Sequence, residues 1–111
     1  MFSKFLEAYV RRFSEQGSFH LRRGSPYKVV GVPEAPGIYL IYGRTGHQTE
    51  LLYIGKSGTI GADGTFGEQM LYTRLAKGKQ DGLPRRIWCP MVIQELGLDS
   101  LEFHWFVTFS K

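Results

Sequence analysis

Gly37-Ile38-Tyr39-Leu40-Ile41-Tyr42 and Glu50-Leu51-Leu52-Tyr53-Ile54-Gly55-Lys56 are two short runs rich in Tyr, Ile and Leu, separated by a polar stretch at 43–49. Aromatic and β-branched runs joined by a short polar link that contains Gly read as a β-hairpin. A hairpin symmetric about Gly46 sets Tyr39 opposite Tyr53, Ile38 opposite Ile54 and Gly37 opposite Gly55, so both tyrosines share one face. A slip of one residue would change every partner.

Upstream, Phe2, Phe5, Leu6, Tyr9, Val10 and Phe13 fall at the i, i+3, i+4 spacing of one helix face. Ser3 is placed to cap that helix and Gly17 to stop it, with Arg11 and Arg12 near the negative end of its dipole. Residues 18–36 carry Gly24, Pro26, Gly31, Pro33 and Pro36, which break any period, and read as a connecting arm with one short edge strand at 27–30.

Downstream, residues 58–67 read as a glycine-rich loop ending in a capping box formed by Thr65 and Glu68. A helix over 66–77 follows and stops at Gly78. Pro84 opens a second helical segment that runs to Leu96 and ends at Gly97, with Pro90 implying a kink or two pieces. Leu101, Phe103, Trp105, Val107 and Phe109 then alternate with Glu102, His104, Phe106 and Thr108, the period of a strand. The expected architecture is α+β: a small, mainly antiparallel three-stranded sheet flanked by helices, with an extra N-terminal amphipathic helix. Residues 1–35 form the N-terminal helix and arm, and 36–111 form the core.

Composition narrows the classes. With 111 residues the chain fits one domain, and 42% hydrophobic with 14% aromatic content supplies a packed core. No apolar run approaches the ~20 residues that cross a bilayer, and Lys4, Glu7, Arg11 and Arg12 interrupt any signal-peptide core. Cys89 is the only cysteine, which excludes an internal disulfide and a cysteine-based zinc site. An intracellular setting, cytoplasmic or nucleoid/nuclear, is the expectation. The net charge of +4 favours polyanionic partners without specifying one.

The tripeptides Gly37-Ile38-Tyr39 and Tyr53-Ile54-Gly55, with Pro36 before the first, Lys56-Ser57 after the second and Arg74 on the following helix among Met70, Leu71 and Leu75, resemble the GIY-YIG nuclease family. The resemblance covers roughly residues 36–109 by order of elements. It implies hydrolysis of DNA phosphodiesters with Mg²⁺ or Mn²⁺. Tyr39 would help to activate water, Tyr53 would assist or position the phosphate, and Arg74 would steady the scissile phosphate. Gly37, Gly55, Lys56, Ser57 and Lys77 are the expected phosphate or nucleic-acid contacts. A phenol, with an ordinary pKa of about 10, acts as a base near neutrality only beside positive charge, which Arg74, Lys56 and a metal would supply. Arginine adds a planar fork of donors matched to phosphate.

The sequence departs from the family pattern in three places. Gly78 stands four positions after Arg74, where the family usually carries a histidine or similar residue; the 58–67 loop is longer than usual; and the family's metal-binding glutamate comes from a helix after the third strand, whereas this chain ends at Lys111. No metal ligand is therefore assigned, neither Glu7 nor Asp63. The alternative reading is a non-catalytic nucleic-acid or protein interaction module on the same fold. Gly55-Lys56-Ser57 is not a phosphate-binding P-loop, because Glu50 stands where that motif needs glycine. His20, His47 and His104 lack ligand spacing, Trp88 and Trp105 read as core, and the pairs Arg22-Arg23 and Arg85-Arg86 read equally as phosphate contacts or solvated charge.

Overall fold

A computed structural model of the chain describes residues 15–57 and 70–108. The expected helix at 2–13, the glycine loop with its Thr65 and Glu68 cap, and Phe109 lie outside the described residues. The elements in chain order are β1 (Gln16–Arg22), β2 (Gly37–Thr45), β3 (Gln48–Ser57), α1 (Leu71–Lys77), β4 (Lys79–Gln80), β5 (Leu83–Pro84), α2 (Arg85–Leu96) and β6 (Ser100–Val107). The α+β class holds, but the main sheet has four strands, antiparallel throughout, in the order β1-β6-β2-β3.

The fourth strand corrects the reading of the arm. Residues 16–22 pair with β6, and Gly17 is a strand residue opposite Trp105 rather than a helix stop. Its lack of a side chain has a packing cause: a Cβ there would stand 2.6 Å from the Trp105 ring. No β-strand forms at 27–30.

The hairpin is real and its register is shifted. Its turn is the two-residue pair Gly46-His47, with Gly46 at φ 58°, the position that II′ hairpins reserve for glycine. An even loop centres the hairpin between Gly46 and His47, not on Gly46. A bulge after Ile41 then leaves Leu52 as the extra residue and shifts the register again. Tyr39 consequently faces Gly55, and Tyr53 faces Ile41.

Helices α1 and α2 lie on one face of the sheet. Leu71 and Leu75 of α1 and Trp88, Cys89 and Ile93 of α2 pack with Phe19, Leu21, Tyr39, Ile41, Leu101 and Phe103 in one buried cluster. Phe19 and Phe103 stack there at 4.7 Å, nearly parallel. Each such large side chain contributes about 1.5–3 kcal/mol by leaving water. The other face carries a smaller cluster of Leu40, Tyr42 and Phe106.

Helix α1 begins later than the spacing suggested, because Met70 is extended. Its first amides are satisfied by the segment before β2: Leu71 N donates to Ala35 O (3.0 Å), Tyr72 N to Pro33 O (3.2 Å), and Thr73 N to the Glu34 carboxylate (3.1 Å). A carboxylate at a helix N-terminus also complements the dipole. Helix α2 is one uninterrupted element with Pro90 inside it, and it ends at Gly97 in the left-handed conformation (φ 64°).

Candidate functional site

Tyr39 sits on the helix-facing side of β2, fully buried. Two residues apart in register, Tyr39 and Tyr53 are diagonal neighbours on the same face, with ring centroids 5.9 Å apart and planes tilted by 32°. The two tyrosines are thus brought together as expected, though not directly opposite one another. Gly55 makes this possible: a Cβ at that position would collide with the Tyr39 ring and hydroxyl. Gly37 is equally filled from within, since a Cβ there would strike the Phe106 carbonyl and the Leu71 side chain. The close approaches expected of a ligand at these two glycines are made by the protein's own groups.

The Tyr39 hydroxyl is met by a residue that the sequence reading did not single out. Arg85, the first residue of α2, is 2% exposed. Its Nη2 donates to the Tyr39 hydroxyl (3.0 Å) and to Gln80 Oε1 (3.2 Å), and its Nη1 donates to the Arg74 carbonyl. The guanidinium carbon is 5.5 Å from the centroid of the Tyr39 ring. Arg85 therefore links Tyr39 to the helix that carries Arg74. Gly78 leaves the room: a Cβ there would overlap the Arg74 carbonyl and stand 3.0 Å from Arg85 Nη1. The space beside a position where the resembled family carries histidine is taken here by the Arg85 guanidinium.

A sequence signal for Arg85 exists. Residues 85, 88, 89, 92 and 93 follow the helical i, i+3, i+4 pattern, so Arg85 shares the stripe of Trp88, Cys89 and Ile93, whereas Arg86 falls outside it. Arg86 is indeed exposed. A second missed signal is Asp81-Gly82, both at positive φ (51° and 79°), which closes the small β4–β5 hairpin in the manner of a I′ turn. That hairpin buries Gln80 against Arg85 and aims Asp81 Oδ2 at Trp88 Nε1 (3.0 Å).

The electrostatics are one-sided. The ion pairs among the described residues converge on Glu102, on the other face of the sheet, and none includes Arg85. Arg85 also lies at the positive end of α2, whose first turn has no acidic residue. Nearby groups feel both burial and this charge. Burial pushes the Cys89 thiol from 9.0 up to about 12 against the opposing pull of Arg85, and burial likewise raises the Tyr27 phenol. The Tyr27 hydroxyl donates to the Leu75 carbonyl (2.6 Å).

The remaining expected residues divide. Arg74 is half-buried within α1. Ser57 is buried and its Oγ donates to the Gly37 carbonyl (3.4 Å), closing the open end of the hairpin. Lys56 is exposed, and strand alternation between Gly55 and Ser57 turns it to the face opposite the tyrosines. Lys77 is exposed at the C-terminal end of α1, where a cation complements the dipole. Trp88 and Trp105 are core residues, as expected.

A hard divalent cation needs carboxylate, carbonyl or water oxygens. The groups around Tyr39 are the Arg85 guanidinium, the Tyr53 phenol, the Gln80 amide and the Arg74 carbonyl, and no set of three or more His, Cys, Asp or Glu among the described residues is placed to hold a metal. The described residues therefore do not fit Mg²⁺ or Mn²⁺. Comparison of the chain with protein-family models, with curated proteins and with solved structures returned no match.

Proposed function

We propose that this chain is a GIY-YIG-type endonuclease domain that hydrolyses DNA phosphodiesters at the cluster of Tyr39, Tyr53, Arg74 and Arg85. The observation that carries the reading is the buried Arg85 guanidinium, held against Tyr39 at the positive end of a helix with no carboxylate facing it among the described residues. A phosphodiester is the anion such a site suits: the buried Arg85 charge would offset the negative charge that builds as water attacks, and the planar fork of Arg74 would meet the phosphate oxygens. In that reaction a water oxygen bonds to phosphorus, the bond from phosphorus to the leaving sugar oxygen breaks, and the proton lost by water is balanced by one gained on the leaving oxygen. Tyr53, half-buried beside Tyr39, is the phenol with access to a bound phosphate. Arg85 orients Tyr39, and Arg74 steadies the phosphate. No step is routed through a metal.

A second reading has its own observation. Tyr39 is fully buried with its hydroxyl already engaged by Arg85, which suits a domain that keeps the fold and binds nucleic acid or protein without cleaving. One experiment separates the two: binding of the chain to plasmid and to branched DNA over a range of salt, with cleavage followed in Mg²⁺ and in Mn²⁺. Salt-sensitive binding with cleavage supports the hydrolase, and binding without cleavage supports the interaction module. Absence of both sinks the nucleic-acid reading.

A further inference from the structure

The opposite face of the sheet carries a second basic site, remote in chemistry from the tyrosines. At the end of the sheet where β1 finishes, Arg22 pairs with Ser100, and Ser100 pairs with Arg44 on the other side, so three adjacent strands present Arg, Ser and Arg in one row. Strand spacing puts the two arginine backbones about 10 Å apart. The row lines an open cavity of about 440 Å³ that also includes Arg23 and His20.

The rim of this cavity is fixed by main-chain bonds. Arg23 N donates to Asp99 O (3.0 Å), and Asp99 N donates to Arg44 O (2.7 Å). Arg23 Nε and Nη2 both clasp the Leu98 carbonyl (3.1 and 2.7 Å). The two acids of the lining are already committed: Asp99 Oδ2 accepts the Gly46 amide (2.7 Å), and Glu102 accepts Arg44 Nη1 (3.0 Å) with His20 and His104 close by. Among the described residues, Arg22 has no ion pair or hydrogen bond from its guanidinium, and the Ser100 hydroxyl has none either. Charge and donors therefore remain in excess on a pre-organised rim.

We propose that this cavity binds a phosphate group, held between Arg22 and Arg44 over the Ser100 hydroxyl. The Arg22 fork, the Arg44 N–H groups that Glu102 leaves unused and the Ser100 hydroxyl supply several donors to a tetrahedral oxyanion. The phosphate belongs either to a nucleic-acid backbone or to a small phosphoester, and the site stands independently of any role for Tyr39 and Tyr53.

The test titrates inorganic phosphate into the full chain and follows the Ser100 amide and the arginine side-chain signals by NMR. A saturable shift is expected, with affinity reduced about tenfold by Arg22→Gln, the loss of one charge-assisted contact. Ser100→Ala should also weaken binding, and Arg86→Gln, on exposed α2 surface, should not. A short DNA oligonucleotide forms the second arm. If Arg22→Gln weakens both ligands, the site takes backbone phosphates; if it weakens phosphate alone, it takes a small phosphoester. Shifts that fail to saturate, or an Arg22→Gln protein indistinguishable from Arg86→Gln, overturn the proposal.

Discussion

Arg85 engages Tyr39 twice: Nη2 donates to the hydroxyl at 3.0 Å, and the guanidinium carbon sits 5.5 Å from the ring centroid. The tyrosine at the centre of the hairpin is thereby tied to the start of α2. Because Tyr39 is fully buried, no solvent replaces Arg85 if it is removed.

Arg85→Met keeps much of the side-chain volume and leaves the Tyr39 hydroxyl and the buried Gln80 Oε1 without their donor. The expected cost is about 1–3 kcal/mol for each orphaned buried polar group. Adding Tyr39→Phe removes one of the two orphans, so the double variant should be more stable than the sum of the single changes implies. Urea unfolding of all four proteins measures this coupling. Simple additivity would show that the bond contributes nothing.

Gly55→Ala forces a methyl group into the Tyr39 ring. Overpacking of this kind costs about 1–3 kcal/mol. The same substitution in a Tyr39→Leu background should cost much less. Thermal unfolding of the pair, each against its own parent, checks the cause; an equal loss in both would mean that the ring is not the obstacle.

These two positions show how much of the site was legible in the sequence. The hairpin, its shared tyrosine face and α2 from Pro84 to Gly97 follow from periodicity and punctuation. The register does not, since a two-residue turn and a bulge at Leu52 each move it by one, and neither leaves a period to read. Residues 16–22 were missed as a strand because alternation there is short and set beside glycine and proline; the pairing with β6 decides it. The pair Arg85-Arg86 reads equally as phosphate contacts or solvated charge, and neither reading places Arg85 in the core, although its spacing from Trp88 and Cys89 marks the buried stripe. Asp81-Gly82 is a turn dipeptide, the legible mark of the β4–β5 hairpin.

Glu102 ties the histidines and Arg44 together on the far face. Burial by itself would raise its pKa, but hydrogen bonds from Arg44 and His104 and the charges of His20 and Arg44 outweigh it and hold the carboxyl below its ordinary 4.5. A carboxyl depressed in the folded state contributes stability above its unfolded value and loses it as pH falls through the folded one. The stability advantage of the native chain over Glu102→Gln should therefore be present above about 4.5, fall below it, and vanish in stronger acid. Denaturant unfolding at a series of pH values reads this directly. An advantage that grows as pH falls below about 4.5 would contradict it.

Cys89 is fully buried on α2, and its thiol is pushed up to about 12. Thiolate is the reactive form, so alkylation by iodoacetamide at pH 8 should be slow in the folded chain and rapid in denaturant. Mass spectrometry of timed samples follows it. Equal rates in both conditions would place the thiol at the surface.

If the cluster around Tyr39 handles a phosphodiester, the chain nicks supercoiled plasmid in Mg²⁺ or Mn²⁺, and the initial rate of nicking reads this out. The native chain should cleave, and Tyr53→Phe and Arg74→Ala, each checked for native circular dichroism, should be slower by roughly 10²-fold or more, as expected for removal of an acid–base or charge-stabilising group. Cleavage that survives both substitutions unchanged, or a folded native chain that binds DNA and leaves it intact, would contradict the account.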